Sequence, residues 1–301
     1  MPHQIGFVES GGGKLAHQNL LIAVRDFVSA NGWTVKRYDA SGTNHELLLM
    51  APGMSGTEQI FVGLRTYQDA GADLYNLLVG GFTGYVSSNT FDTQPGAFLS
   101  GVPAHNNRID YWLTINGQRL VLAMKVGTPV YETIYLGKFL PYATPGQYPY
   151  PLLVSGMLTG AAATRFSETL HSFGFKGAWP SGNQRPNVAL RRVDGSWVQP
   201  WCWPWYAAGG SEGWLASSTF ALRDTNGQYP LLPIVLHDNS STTAWPATQG
   251  NVWGELDGVC FVSGFDNGVE NTLSIGGVDW VVVQDVWRTG HIDYIAMRLD
   301  S

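Results

Sequence analysis

Two apolar rhythms alternate along this chain. In KLAHQNLLIAVRDFVSANG (Lys14–Gly32), Leu20, Val24, Phe27 and Val28 recur at the spacing of one helix face, and Leu21 widens the stripe. Asn31-Gly32 then supplies a natural helix stop. Shorter runs follow: WTVKRYD (Trp33–Asp39), HELLLMA (His45–Ala51) and EQIFVGLRTY (Glu58–Tyr67). Turn elements such as SerGly and GlyMetSerGly separate them, so they read as strands. Residues 1–92 are therefore expected to form an N-terminal α/β domain, a helix with a small sheet.

The texture changes after Phe91. DTQPGAFLSGVPAHNNR (Asp92–Arg108) reads as a long loop. In IDYWLTINGQRLVLAMKVG, Asn116-Gly117 stands between two apolar runs, which predicts a hairpin whose central positions adopt positive φ. Beyond it nearly everything reads as strand and turn, including a second Asn-Gly pair, Asn226-Gly227. Residues 93–301 are expected to form a β-rich domain, an antiparallel sandwich or partly open barrel. The fold class is α+β, mainly β. A short internal echo, GQYPYPLLVSG (Gly146–Gly156) and GQYPLLPIVLHD (Gly227–Asp238), places Gln-Tyr-Pro before an apolar run in both cases. Proline there fits entry into an edge strand.

Composition changes the picture in one respect. Charged residues make up 13% of the 301, about half the roughly 25% usual in globular domains, while there are 12 Trp, 13 Tyr and 13 Phe. Much aromatic surface must be placed under little charge, either in a β core or between subunits. A net charge of −6 without a basic block argues against nucleic-acid binding. No apolar run approaches the ~20 residues of a membrane span. MPHQIGFVESGGGK has no basic stretch leading into an apolar one, so a signal peptide is not expected. Cys202 and Cys260 read as buried thiols of a reducing cytosol rather than a disulfide framework.

Candidate chemistry is sparse. Ser10–Lys14 (SGGGK) lacks the glycine spacing and the Ser/Thr of a phosphate loop. His237-Asp238 and His291-x-Asp293 do not match a zinc pattern, and no nucleophile elbow occurs. Glu212, Asp224, Glu255 and Asp257 could pair for glycoside hydrolysis, but nothing selects two of them. The chain is expected not to be an enzyme, with no catalytic residue, cofactor or metal. Aromatic anchors are more distinctive. VDGSWVQPWCWPWYAAGGSEGW (Val193–Trp214) holds Trp197, Trp201, Trp203, Trp205 and Trp214. Alternation at 201, 203 and 205 would put three indoles on one face of a strand, with Pro204 favouring an edge. Such indoles plug a core, anchor a subunit contact or stack on sugar rings. YLGKFLPYATPGQYPYPLLVSG (Tyr135–Gly156) carries four prolines, four tyrosines and one charge, Lys138. It is expected to lie partly on the 109–126 hairpin and partly against a neighbouring chain. The candidate interface residues are Tyr142, Tyr148, Tyr150, Trp201, Trp203 and Trp205.

The hairpin around Tyr111-Trp112, Asn116-Gly117-Gln118-Arg119 and Lys125-Val126 begins a familiar series of motifs. It continues through Tyr135-Leu136-Gly137, Leu140–Pro145 and Gln147–Leu152. Gly254-Glu255-Leu256-Asp257-Gly258-Val259, Ile275-Gly276-Gly277, Val283–Val286 and Arg288-Thr289-Gly290 follow near the end. Over about half the chain this series resembles an uncharacterised group of tailed-bacteriophage and prophage virion proteins. The resemblance implies a structural subunit of the tail, neck or baseplate, made in the host cytoplasm and located in the virion. Its implied partners are copies of itself, in a ring or other symmetric assembly, and other virion proteins. It carries over no catalytic residue. A virion receptor- or carbohydrate-binding module using the Trp197–Trp214 cluster is the alternative expectation.

Overall fold

The computed structural model describes residues 2–142, 152–155, 158–159, 163–167, 172–176, 187–192, 194–205, 230–238 and 251–299. Their order begins with β1 (His3–Glu9), α1 (Ala16–Ala30), β2 (Thr34–Asp39), β3 (Glu46–Ala51), β4 (Ile60–Asp69), β5 (Leu74–Phe82) and β6 (Phe98–Pro103). The hairpin strands β7 (Arg108–Ile115) and β8 (Arg119–Lys125) follow, then β9 (Tyr131–Lys138), β10 (Leu140–Pro141), β11 (Leu152–Ser155) and β12 (Leu158–Thr159). The remainder is β13 (Val188–Arg191), β14 (Trp197–Val198), β15 (Trp201–Trp203), β16 (Leu232–Asp238), β17 (Asn251–Phe261), β18 (Thr272–Ile275), β19 (Val278–Gln284) and β20 (Tyr294–Leu299). The fold is mainly β and antiparallel, with one helix among the described residues.

The described residues form three sheets. A central sheet runs β1-β7-β8-β9-β11-β13-β14. A helix-side sheet runs β12-β6-β5-β4-β3-β2, and a C-terminal sheet runs β15-β16-β17-β20-β19-β18 with β10 paired to β17. Side-chain parity shows how they stack. Tyr131, Thr133 and Tyr135 share one face of β9, and Tyr135 meets Asp257 of the C-terminal sheet. Ile134 and Leu136 point the other way, toward β4, β5 and β6, which run against β9. The central strands are thus covered on both sides. This explains why RLVLAMK of β8 is almost continuously apolar instead of alternating.

The helix forms where its stripe predicts. Leu20, Leu21, Val24 and Val28 are fully buried, and Gln18 Oε1 accepts the Leu15 N–H at 2.9 Å, satisfying one orphan donor of the first turn. The strands expected at 33–39, 45–51 and 58–67 become β2, β3 and β4. The long loop expected over 92–108 is corrected: it contains β6, which pairs with β5. Its glycines gave it a loop-like texture, but Gly101 is needed because a Cβ there would meet Leu78 Cδ2 at 2.9 Å. The expected division at 92/93 is crossed by two pairings, β1 with β7 and β5 with β6. One apolar cluster extends from Ala16 to Leu299.

The 116–118 turn also differs in mechanism from expectation. Neither Asn116 nor Gly117 has positive φ. Instead Asn116 Oδ1 accepts the N–H groups of Gln118 (2.8 Å) and Arg119 (2.9 Å), closing an Asx-type turn. Glycine at 117 reflects a close approach, since a Cβ would meet the Gly53 carbonyl oxygen at 2.5 Å. The two strands after the Gln-Tyr-Pro echo are not edges. β11 lies between β9 and β13, and β16 between β15 and β17. Pro230 precedes β16, and Pro233 sits at a register irregularity of that strand.

Candidate assembly interface

Tyr135–Gly156 opens as expected on the hairpin: β9 pairs with β8, with Tyr135 opposite Val121. The chain then crosses to the C-terminal sheet, where Leu140 lies opposite Glu255. The Tyr142 N–H donates to the Trp253 carbonyl at 3.0 Å. Leu140, Tyr142 and Val252 are all exposed at this crossing, Tyr142 by 56%. Tyr142 Oη donates to Glu255 Oε2 at 2.9 Å, and burial of the phenol together with that carboxylate pushes its pKa up to about 12. Tyr142 is therefore a surface group with a fixed orientation. Tyr148 and Tyr150 lie outside the described residues.

The tryptophans divide. Trp201 and Trp205 belong to the interior of the single chain. Trp205 Nε1–H donates to the Ile292 carbonyl at 2.8 Å, and its ring meets Phe261 edge-on at 5.6 Å between centroids. Burial of the indole with its N–H satisfied is the usual resolution for a core tryptophan. Trp203 is half-buried at the end of β15, an edge strand that stops before Pro204. Trp197 is also half-buried; it lies tilted on Phe98 at 5.1 Å and donates to the Gly96 carbonyl at 3.1 Å. The described indoles do not form one exposed stacking face. Trp214 lies outside the described residues.

Polar groups concentrate inside. Asp257 Oδ2 accepts Asn116 Nδ2 at 2.6 Å and Gln118 Nε2 at 3.0 Å, with Arg119 Nε at 3.6 Å. Arg298 stands 3.9 Å from Oδ1, and the Asp257 N–H reaches Tyr135 Oη at 3.2 Å. Arg119 is completely buried, and Gly258, at φ +71°, makes room for its guanidinium. On the opposite side the Asn116 carbonyl accepts Trp33 Nε1–H at 2.8 Å, so the hairpin tip ties all three sheets together. A second cluster centres on Asp285. It accepts Ser172 Oγ (2.8 Å) and the Phe173 N–H (2.6 Å), with Lys176 at 3.2 Å and Arg288 at 3.5 Å. Asp293, of the His291/Asp293 pair, bonds the same Lys176.

These carboxylates are committed to structure. Asp257 is buried with two side-chain amides donating to its Oδ2, and Glu255 accepts from Tyr142. Glu212 and Asp224 lie outside the described residues. Among the described residues no three His, Cys, Asp or Glu side chains group as metal ligands. Both cysteines are free thiols, and burial raises their pKa, Cys260 to about 12, which disfavours the reactive thiolate. A recess on the helix-side sheet, lined by Lys36, Leu48, Phe61, Phe82, Tyr85 and Gln94, encloses about 0 Å³ of space open to a water molecule. That is below the roughly 300 Å³ at which small-molecule pockets begin. No helix among the described residues is long and apolar enough to cross a membrane.

The exposed apolar side chains that escaped the sequence reading include Ile5 and Phe7 of β1, with Arg108 stacked 4.1 Å from the Phe7 ring centre. Their signal was the alternation in HQIGFVE. Among known proteins, the chain matches no family model and no curated sequence.

Proposed function

We propose that the chain is a structural subunit of a tailed-bacteriophage virion, a tail, neck or baseplate component, that acts by assembling with copies of itself and with other virion proteins. The observation that carries the assembly part is the surface. Large apolar side chains stand outside at Leu140, Tyr142 and Val252 and again at Ile5 and Phe7. Exposed anchors of this kind are completed by burial against a partner. The virion assignment rests on the motif resemblance described above.

Light scattering on the purified full chain, across concentration and at low and high salt, tests the assembly reading. A discrete multimer insensitive to salt is expected, because apolar contacts are little screened. A monomer at every concentration whose tryptophan fluorescence shifts with added saccharide would replace this reading with the carbohydrate-binding one. Half-buried Trp203 is the described residue best placed to report that shift.

A further inference from the structure

The edge of the central sheet carries more information than its exposure. β1 is the terminal strand, paired only with β7 among the described residues, in a register where Ile5 faces Trp112 and Phe7 faces Asp110. Just outside the strand, the Ile115 N–H donates to the Pro2 carbonyl and the Ser10 N–H donates to the Asn107 carbonyl. Antiparallel ladders alternate hydrogen-bonded and non-hydrogen-bonded pairs. Positions 2 and 10 are therefore in phase with 4, 6 and 8, whose backbone groups turn toward β7. The N–H and C=O groups of Ile5, Phe7 and Glu9 turn outward along the sheet edge. The Glu9 carbonyl confirms the phase, since Asn19 Nδ2 of α1 reaches it at 2.7 Å.

We infer that β1 pairs antiparallel with β1 of a second copy, in the register that sets Ile5 opposite Phe7 of the other chain and His3 opposite its Glu9. This rests on the assembly reading only in requiring a second copy. Outward groups belong to odd positions, so the paired positions must both be odd, and few registers remain. In the inferred one, the two exposed apolar side chains, 53% and 56% accessible, cover each other across the two-fold axis. The Glu9 carboxylate, already 2.9 Å from Arg108, meets an imidazole donor. Sliding two residues one way sets Phe7 against His3 and Ile5 against itself. Sliding the other way sets Ile5 against the Glu9 carboxylate. Both alternatives lose the apolar pairing or the polar one. Exposed edges recruit strands in this way, and a contact using the same strand on both subunits closes as a dimer.

Cysteine crosslinking reads the register directly. Ile5→Cys and Phe7→Cys chains are purified separately, then oxidised alone and after mixing, and resolved without reductant. The expected result is a crosslinked dimer in the mixture at least about five-fold above either variant alone, because only directly opposed positions meet disulfide geometry. Crosslinking of Ile5→Cys alone, or of Phe7→Cys alone, would overturn the register. A multimer by light scattering with no crosslink in any sample would overturn the β1 contact while leaving assembly intact. A monomer throughout would overturn both. As a second measurement, Phe7→Lys is expected to shift the mass of the pair to that of one chain with an unchanged far-ultraviolet circular dichroism spectrum, since the side chain is exposed in the single fold. A retained dimer would count against β1.

Discussion

Both faces of the central sheet pack through one apolar cluster, but the face toward the C-terminal sheet adds a buried polar network. Toward the helix-side sheet the contact is largely apolar: Leu20, Leu21 and Val24 of α1 and Leu47, Leu49, Val62 and Leu64 of β3 and β4 are buried with the inward residues of β7 to β9. Toward the C-terminal sheet the same cluster continues through Val259, Phe261, Val281 and Met297, and within it Arg119, Asp257, Asn116, Gln118 and Tyr135 interlock. Apolar packing tolerates small shifts of register and shape. Directional pairs around a buried charge tolerate almost none, because each lost partner leaves an uncompensated polar group. One face is fixed mainly by volume, the other by volume and address.

The sharpest break in that contrast is Asp257→Ala. It leaves the buried Asn116 and Gln118 amides without the carboxylate they donate to and removes the charge beside Arg119, so a loss of about 3–5 kcal/mol is expected from urea unfolding of the full chain. A loss below 1 kcal/mol would mean the polar side is no more demanding than the apolar one. On the apolar side, Leu21→Ala is expected to cost about 3 kcal/mol, the ordinary penalty for deleting a buried leucine side chain. Its unfolding should remain a single transition if both faces belong to one cooperative unit.

Acid probes the apolar side through its own exceptions. His17 is fully buried, and burial, reinforced by nearby His45, lowers its pKa from 6.5 to about 4. The His45 pKa is lowered as well, mainly by burial. A folded-state pKa below the unfolded one means the unfolded chain takes up the proton first. Stability is therefore complete above pH 6.5 and falls toward pH 4, by roughly 2–3 kcal/mol for His17. Chemical denaturation at pH 7.5, 5.5 and 4.5 measures this, and His17→Gln should flatten the slope. The smallest effect is expected at the rim of the polar face. Lys125 and Tyr131 both donate to Glu270, and the Tyr131 phenol is pushed up to about 12 by burial first and that carboxylate second. Glu270→Gln should cost under about 1 kcal/mol, as partly exposed ion pairs do, while an ultraviolet titration shows the Tyr131 pKa falling.

The apolar face was the more legible of the two in the sequence. A helix stripe such as Leu20, Leu21, Val24 and Val28, or a continuous run such as RLVLAMK, records local burial in local spacing. The Asn116-Gly117 turn was legible as a hairpin, though its glycine answers to the Gly53 carbonyl and not to φ. β6 was hidden because Gly101, needed by the ring of contacts around Leu78, is also a loop residue. The polar face left no local trace. Asn116 and Asp257 meet across 141 positions, and nothing near either one announces the other. Of the six candidate interface residues, Tyr142 stands at the surface, while Trp201, on the short edge strand β15, and Trp205, in the turn after it, went to the core. Ile5 and Phe7 were passed over because the same alternation normally marks an inward face.

The Asn116 tip also constrains the order of events during synthesis. Its carbonyl bonds Trp33, 83 positions before it, and its amide bonds Asp257, 141 positions after it. The first contact is available as soon as the hairpin leaves the ribosome; the second must wait for nearly the whole chain. Until then the Asn116 and Gln118 amides lack the Asp257 carboxylate, and the face that will receive the C-terminal sheet stays open to water. The nascent protein is thus obliged to pause half-clad, which makes late synthesis the interval when a chaperone or a sister chain has most to offer it.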